Sequence, residues 1–275
     1  MMDIKEPLAL QIGLQVTEVR DDGLTACADE LPHVTNRYGI AHGGYLHALG
    51  QLTAMLSARQ KYGGNWEVTD ASCQYLRALR KFPAKTVTAL VGGDERTPVY
   101  RAEVFDGAGA LCITEIIGLK REAEYPAEPI QHSQVIFDPN PMPADLDAEP
   151  PFPCLSTSFS RYLNCYSVRK DGTGLVYALD LNENNTDAHG FAHTAAMFTV
   201  ADSAACGSLV RIEKKNPVTV SASIRYLAKA EASLVEARPR LTRSGRVLYF
   251  YDVDIVDGNG TLAAVGQFVI QSLEK

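Results

Sequence analysis

Between Gly43 and Tyr62 the apolar positions Leu46, Leu49, Leu52, Ala54, Met55 and Leu56 leave little room for a polar face, and Gly63-Gly64 follows as a stop. That spacing predicts one helix buried on nearly every side. The pattern returns from Thr194 to about Glu213 and ends at Lys214, Lys215 and the Asn216-Pro217 breaker. Ahead of each helix lies an alternating stretch, Leu14 to Leu31 and Leu163 to Leu181, whose glycine turns predict a hairpin. Four β-like runs follow each helix. They are Val68 to Leu79, Thr86 to Gly92, Val99 to Phe105 and Ala110 to Lys120, then Thr219 to Leu227, Ser233 to Leu241, Val247 to Val256 and Thr261 to Leu273. Asp106-Gly107 and Asp257-Gly258 join the third run to the fourth in each set. Strands grouped around one long helix indicate an α+β fold class.

The two sets share one register. A shift of 151 positions pairs Gly23 with Gly174, Gly39 with Gly190, His42 with His193, Tyr75 with Tyr226 and Asp106 with Asp257, without a gap to the C-terminus. A period of that length is a whole domain duplicated, not a solenoid unit. The domains are expected at 1–124 and 154–275, with a linker at 125–153; the stretch Glu124 to Pro153 holds eight of the fourteen prolines. An antiparallel sheet around one helix exposes an edge, and a duplicate is the obvious partner for it. The expected arrangement is an intrachain pseudo-dimer.

Composition narrows the function. The chain has 275 residues, is 46% apolar and carries a formal net charge of -7, with no long Lys/Arg cluster, which argues against nucleic-acid binding. Its six cysteines show no CxxC spacing, and none falls on another at the repeat offset, so neither a metal site nor a disulfide framework is expected. The first residues, with two acids and a proline, do not suit a secretory signal, and the apolar stretch from Ala195 to Val210 is interrupted by Asp202 and too short to span a bilayer. A cytoplasmic protein without membrane contact is expected.

Just before the first buried helix stand Asn36, Gly39, His42, Gly43 and Gly44; the second copy has Asp187, Gly190, His193, Thr194 and Ala195. This motif resembles the hot-dog-fold acyl-CoA thioesterases of the phenylacetyl-CoA and 4-hydroxybenzoyl-CoA type. Their signature is N/Q-x-x-G-x-x-H-G-G with an acid nine residues after the His. The resemblance implies a tandem hot-dog fold, in which each sheet wraps one central helix and each site combines a helix start from one domain with an acid from the other.

Nine residues beyond His42 stands Gln51; nine beyond His193 stands Asp202. Along one helix Gly43 and Gln51 are separated by roughly 12 Å, too far to touch the same carbonyl. Crossing the halves gives one complete set, Asn36, His42 and Gly43 with Asp202, and one degenerate set, Asp187, His193 and Thr194 with Gln51. One working site per chain follows.

The chemistry suits these residues. The Gly43 N–H, unpaired at the positive end of a helix, can hold a carbonyl oxygen as charge develops on it. Asp202 would attack the thioester or activate water. Asn36 would orient water or carbonyl, and by family position Thr219 supplies a hydroxyl for the water. Further substrate contacts are assigned to His42, Gly44, Cys206 and Arg77, with His42 also supporting the turn. Arg77, Arg80, Lys81 and Lys85 offer charge to CoA phosphates. His47 and His189 are expected at the surface or in a pocket. The expected reaction is hydrolysis of an acyl thioester on CoA or acyl carrier protein, by a homo-oligomer, without metal or other cofactor. Its rivals are a non-catalytic acyl-CoA binding module and an enoyl-CoA hydratase or dehydratase. The latter needs a His beside an Asp on a loop, a pattern not found.

Overall fold

The computed structural model describes residues 4, 6–36, 38–122, 158–172 and 174–273; the expected linker lies outside them. The first half runs through α1 (Pro7–Gln11), β1 (Gln15–Arg20), β2 (Gly23–Ala28), α2 (Gly43–Tyr62), β3 (Trp66–Tyr75), β4 (Ala84–Gly92), β5 (Val99–Phe105) and β6 (Leu111–Arg121). The second repeats that order with α3 (Phe159–Tyr162), β7 (Cys165–Asp171), β8 (Gly174–Asp180), α4 (Thr194–Arg211), β9 (Asn216–Tyr226), β10 (Leu234–Ser244), β11 (Leu248–Asp257) and β12 (Leu262–Leu273).

All twelve strands form one antiparallel sheet in the order β1-β2-β4-β5-β6-β3-β9-β12-β11-β10-β8-β7. Outward from the β3–β9 seam, the sequence of strands is the same on either side. At the seam Ser72 faces Ser223, its own duplicate, with Asp70 opposite Arg225 and Gln74 opposite Ser221 to either side. Each half thereby covers the edge its partner strand would leave open.

In each half the sheet curls around the long helix. From Gly44 to Ala58 every residue of α2 but Met55 is buried, and α4 is buried without interruption from Ala195 to Asp202. Fully burying one leucine stabilises by roughly 1.5–3 kcal/mol, so Leu46, Leu49 and Leu52 make α2 inseparable from its sheet. Four hydroxyls of these helices bond within their own helix: Thr53, Ser57, Thr199 and Ser208 each donate to the carbonyl four residues back, at 2.7–2.8 Å.

The two long helices meet antiparallel. His47 stacks on Phe198, its duplicate position, at 3.9 Å between ring centroids. A Cβ on Gly44 would lie 2.2 Å from the Thr199 hydroxyl, so the glycine is what lets the helices approach.

Two features depart from the sequence expectation. The short helices α1 and α3 stand at equivalent positions and bury Leu8 and Phe159, extending the duplication further toward the N-terminus than the matched glycines do. They are too short to leave a periodic signal. Strand β3 also ends at Tyr75, not Leu79: the N–H groups of Leu76 and Arg77 both reach the Cys112 carbonyl, and the chain then turns off the sheet so that Leu79 accepts from Ala41. That departure carries Arg77 toward the start of α2.

Candidate active site

The start of α2 is built by the loop before it. Asn36 Oδ1 accepts the Tyr38 N–H at 2.9 Å, Gly39 adopts φ +68°, and the His42 N–H is tied to the Val34 carbonyl. His42 is the helix cap: its Nδ1 accepts the Gly44 N–H at 3.0 Å. Burial pushes the His42 pKa down to about 4, which keeps the imidazole neutral and fit to accept. With Gly44 so engaged, the Gly43 N–H has no acceptor among the described residues, and it points from the positive end of a 20-residue helix. The Tyr75 hydroxyl donates to the Gly43 carbonyl at 3.0 Å and anchors this first turn to the sheet.

Opposite it, on the other half's helix, is Asp202. Its Oδ2 lies 3.5 Å from where a Gly43 Cβ would stand. Its Oδ1 accepts the Thr219 hydroxyl at 2.5 Å, with the Cys206 thiol at 3.9 Å. One oxygen is therefore held and the other faces the start of α2. Asp202 is 5% exposed. Burial pushes its pKa up to about 6, against the hydrogen bond from Thr219 and the attraction of His47.

A cavity of about 560 Å³ joins these groups. Asn36, His42, Gly43, Arg77, Asp202, Cys206 and Thr219 all line it. Asn36 uses its carbonyl oxygen to hold the loop while lining the cavity. Gly44 does not line it; this glycine sits between the helices. Arg77 and Arg80 are exposed at its rim, whereas Lys81 and Lys85 are not among its lining residues. Gln271 of β12, opposite Val218 of β9, also lines it and was not among the expected site residues. Its only signal is a polar side chain inside an apolar strand. His47 is completely buried in the core and touches no surface; His189 lines a different cavity.

That other cavity, of about 220 Å³, is the duplicate of the first. His193 caps α4 as His42 caps α2, with Nδ1 accepting the Ala195 N–H at 3.0 Å, and the Tyr226 hydroxyl donates to the Thr194 carbonyl at 2.9 Å. Here Thr194 stands in place of Gly43, and its hydroxyl takes the Gln51 amide at 2.5 Å. Lys229 fills the approach, with its ammonium 3.0 Å from Asp187, 3.3 Å from Glu67 and 3.5 Å from Glu122. Burial opposes the charge on Lys229, but the three carboxylates together outweigh it and raise its pKa. Among the residues that hold these positions around the first cavity, Lys229 has Ala78 as its counterpart, Glu67 has Val218, Glu122 has Leu273 and Asp187 has Asn36.

The architecture has close parallels. The tesB protein of Mycobacterium avium subsp. paratuberculosis aligns over 97% of this chain and 98% of its own, with a TM-score of 0.64 at 13% identity. An Alicyclobacillus acidocaldarius protein described as having a hot-dog fold gives the same score over 97% and 98% at 14% identity. The acyl-CoA thioesterase II TesB2 of Mycobacterium marinum gives 0.62 over 95% and 96% at 11% identity. The described residues therefore adopt the hot-dog fold. Residues 189–264, which include α4 and Asp202, match the Thioesterase superfamily model. No curated protein sequence matches the chain. Among the described residues, no helix is long and apolar enough to cross a membrane.

Proposed function

We propose that this protein hydrolyses acyl thioesters, with acyl-CoA the leading substrate, at one site per chain in an intrachain pseudo-dimer of hot-dog domains at 1–124 and 154–275. The observation that carries this reading is the Asp202 carboxylate facing the unpaired Gly43 N–H across a shared cavity. The thioester carbonyl oxygen sits at the Gly43 N–H, where the helix end stabilises the oxyanion of the tetrahedral intermediate; one such donor is typically worth about 3–4 kcal/mol in the transition state. Asp202 Oδ2 takes a proton from the attacking water while Thr219 fixes Oδ1. A carboxyl titrating at about 6 is ionised at neutral pH yet basic enough for that task. The amides of Asn36 and Gln271 orient water or carbonyl, and the intermediate collapses by expelling the CoA thiolate. Arg77 and Arg80 at the rim meet the CoA phosphates. Neither a metal nor an organic cofactor takes part in these steps.

The test is release of free thiol from a panel of acyl-CoAs, with Asp202→Asn alongside. Turnover lost in the variant supports hydrolysis. Saturable binding without turnover points to a binding module, and hydration of an enoyl-CoA to a hydratase. Either outcome replaces this reading.

A further inference from the structure

Three buried polar residues lie where the second half has none. His47 of α2, Cys73 of β3 and Glu115 of β6 are each at most 1% exposed. Their duplicates are Phe198, Ile224 and Gly266, so the fold is built equally well without polar groups at these positions. His47 Nδ1 is 2.6 Å from Glu115 Oε2; Cys73 Sγ is 3.3 Å from that oxygen and 3.6 Å from the nitrogen. Cys73 and Glu115 are direct neighbours across β3 and β6. Two atoms of the group, His47 Nε2 and Glu115 Oε1, are buried without a hydrogen-bond partner. Room for Oε1 exists only because residue 50 is glycine, since a Cβ there would sit 2.4 Å away. An unpaired buried polar atom costs about 1–3 kcal/mol, and a hydrogen-bonded triad alone gives no reason to leave Oε1 without a partner.

We propose that His47, Cys73 and Glu115 form a buried binding site for a divalent transition metal of the zinc class. The donor set is nitrogen, sulfur and oxygen, the ligands such ions prefer. Three atoms spaced as these are fit on a sphere of about 2.1 Å radius, close to zinc–ligand bond lengths; a slight widening of the His47–Glu115 contact completes the fit. Glu115 Oε1, otherwise orphaned, is the fourth donor if the carboxylate binds through both oxygens. Charge closes as well: a dication with one thiolate, one carboxylate and a neutral imidazole is neutral overall, the condition for burial in an apolar core. Binding releases the Cys73 proton to solvent and involves no redox change. Because the site is closed, the ion enters as the chain folds and then ties α2 to its sheet. The absence of paired-cysteine spacing speaks only of ligands close in sequence, and these come from three separate elements.

The experiment refolds the full chain with excess zinc or cobalt, removes loose metal by gel filtration, and measures metal per chain together with the sulfur-to-cobalt charge-transfer absorption. About one ion per chain is expected, with the band lost in Cys73→Ser although five other cysteines remain. Should that variant not fold, Glu115→Gln and His47→Phe, the latter copying the second half's residue, test the same site through loss of stoichiometric metal. Less than about half an ion per chain in the parent, or metal and band that survive in the folded variants, overturns the proposal. The readout does not depend on thioesterase activity, so it stands or falls apart from the proposed reaction.

Discussion

The two clefts of this protein share a scaffold and differ in what fills it. Both begin at a helix capped by a histidine Nδ1, and both have that first turn pinned by a tyrosine from the next strand. In the first, glycine leaves the seat at the helix start vacant and a carboxylate faces it. In the second, the Thr194 side chain occupies the seat, its hydroxyl is matched to Gln51, and Lys229 with its three carboxylates takes the space that Ala78, Val218, Leu273 and Asn36 leave open elsewhere. In the second cleft, ion pairing between the halves occupies the space that the first leaves to its cavity. A partly buried cation shared by Glu67 and Glu122 of one half and Asp187 of the other ties the halves together, and its removal leaves like charges facing one another.

The comparison breaks most readily at Asp202. Asp202→Asn is expected to lower kcat by about 10²–10⁴ with KM little changed, measured by thiol release. Gly43→Thr copies Thr194 into the first cleft; the nearest atom to the new Cβ is 3.4 Å away, so the variant folds, yet its side chain fills the carbonyl seat. A fall of about 10²–10³ in kcat is expected, and retained activity would detach the chemistry from the helix start. Lys229→Met addresses the other cleft: three half-buried acids lose their counter-charge, and chemical denaturation should show a loss of about 1–3 kcal/mol with kcat nearly unaltered. Smallest is Gln51→Ala, for which kcat should change by less than about threefold.

The pH dependence sharpens the contrast. Activity should rise through about pH 6 as Asp202 ionises. Its stability effect runs in the opposite direction. The folded pKa lies above the unfolded value, so the folded chain binds more protons between about pH 4 and 6, and the stability from protonated Asp202 is lost as pH rises across that window. Above it the buried carboxylate is a standing cost, and Asp202→Asn should gain on the order of 1–3 kcal/mol at pH 8 by denaturant titration while losing turnover. A variant both inactive and less stable at that pH would show that Asp202 holds the fold together and is not kept there at the fold's expense.

Much of the molecule was readable from residue order. The α2 helix runs over the span its apolar spacing predicts, and the hairpins and strand runs fall within a few residues of expectation, because helix and strand periods are local properties. The motif's resemblance to the hot-dog thioesterases pointed to Asn36, Gly43, Asp202 and Thr219, the repeat offset showed which half keeps each, and one cavity gathers them. Other features had no such trace. Gln271 looks like any polar residue in a strand, and Glu67, Glu122, Asp187 and Lys229 are unremarkable surface charges in sequence. His47, expected at the surface or in a pocket, is in the core, since a mostly apolar helix offers no sequence cue to which polar residue is enclosed.

By itself, then, the amino-acid order determined the duplication, the elements and the inequality of the halves, because each is written in spacings of a few residues or in one constant offset. Which groups face one another was decided by the β3–β9 seam and the antiparallel helices. Only that packing sets Asp202 against Gly43, gathers three carboxylates on Lys229 and encloses His47 with Cys73 and Glu115. Burial then raised the Asp202 pKa, an effect of surrounding atoms that no local pattern encodes.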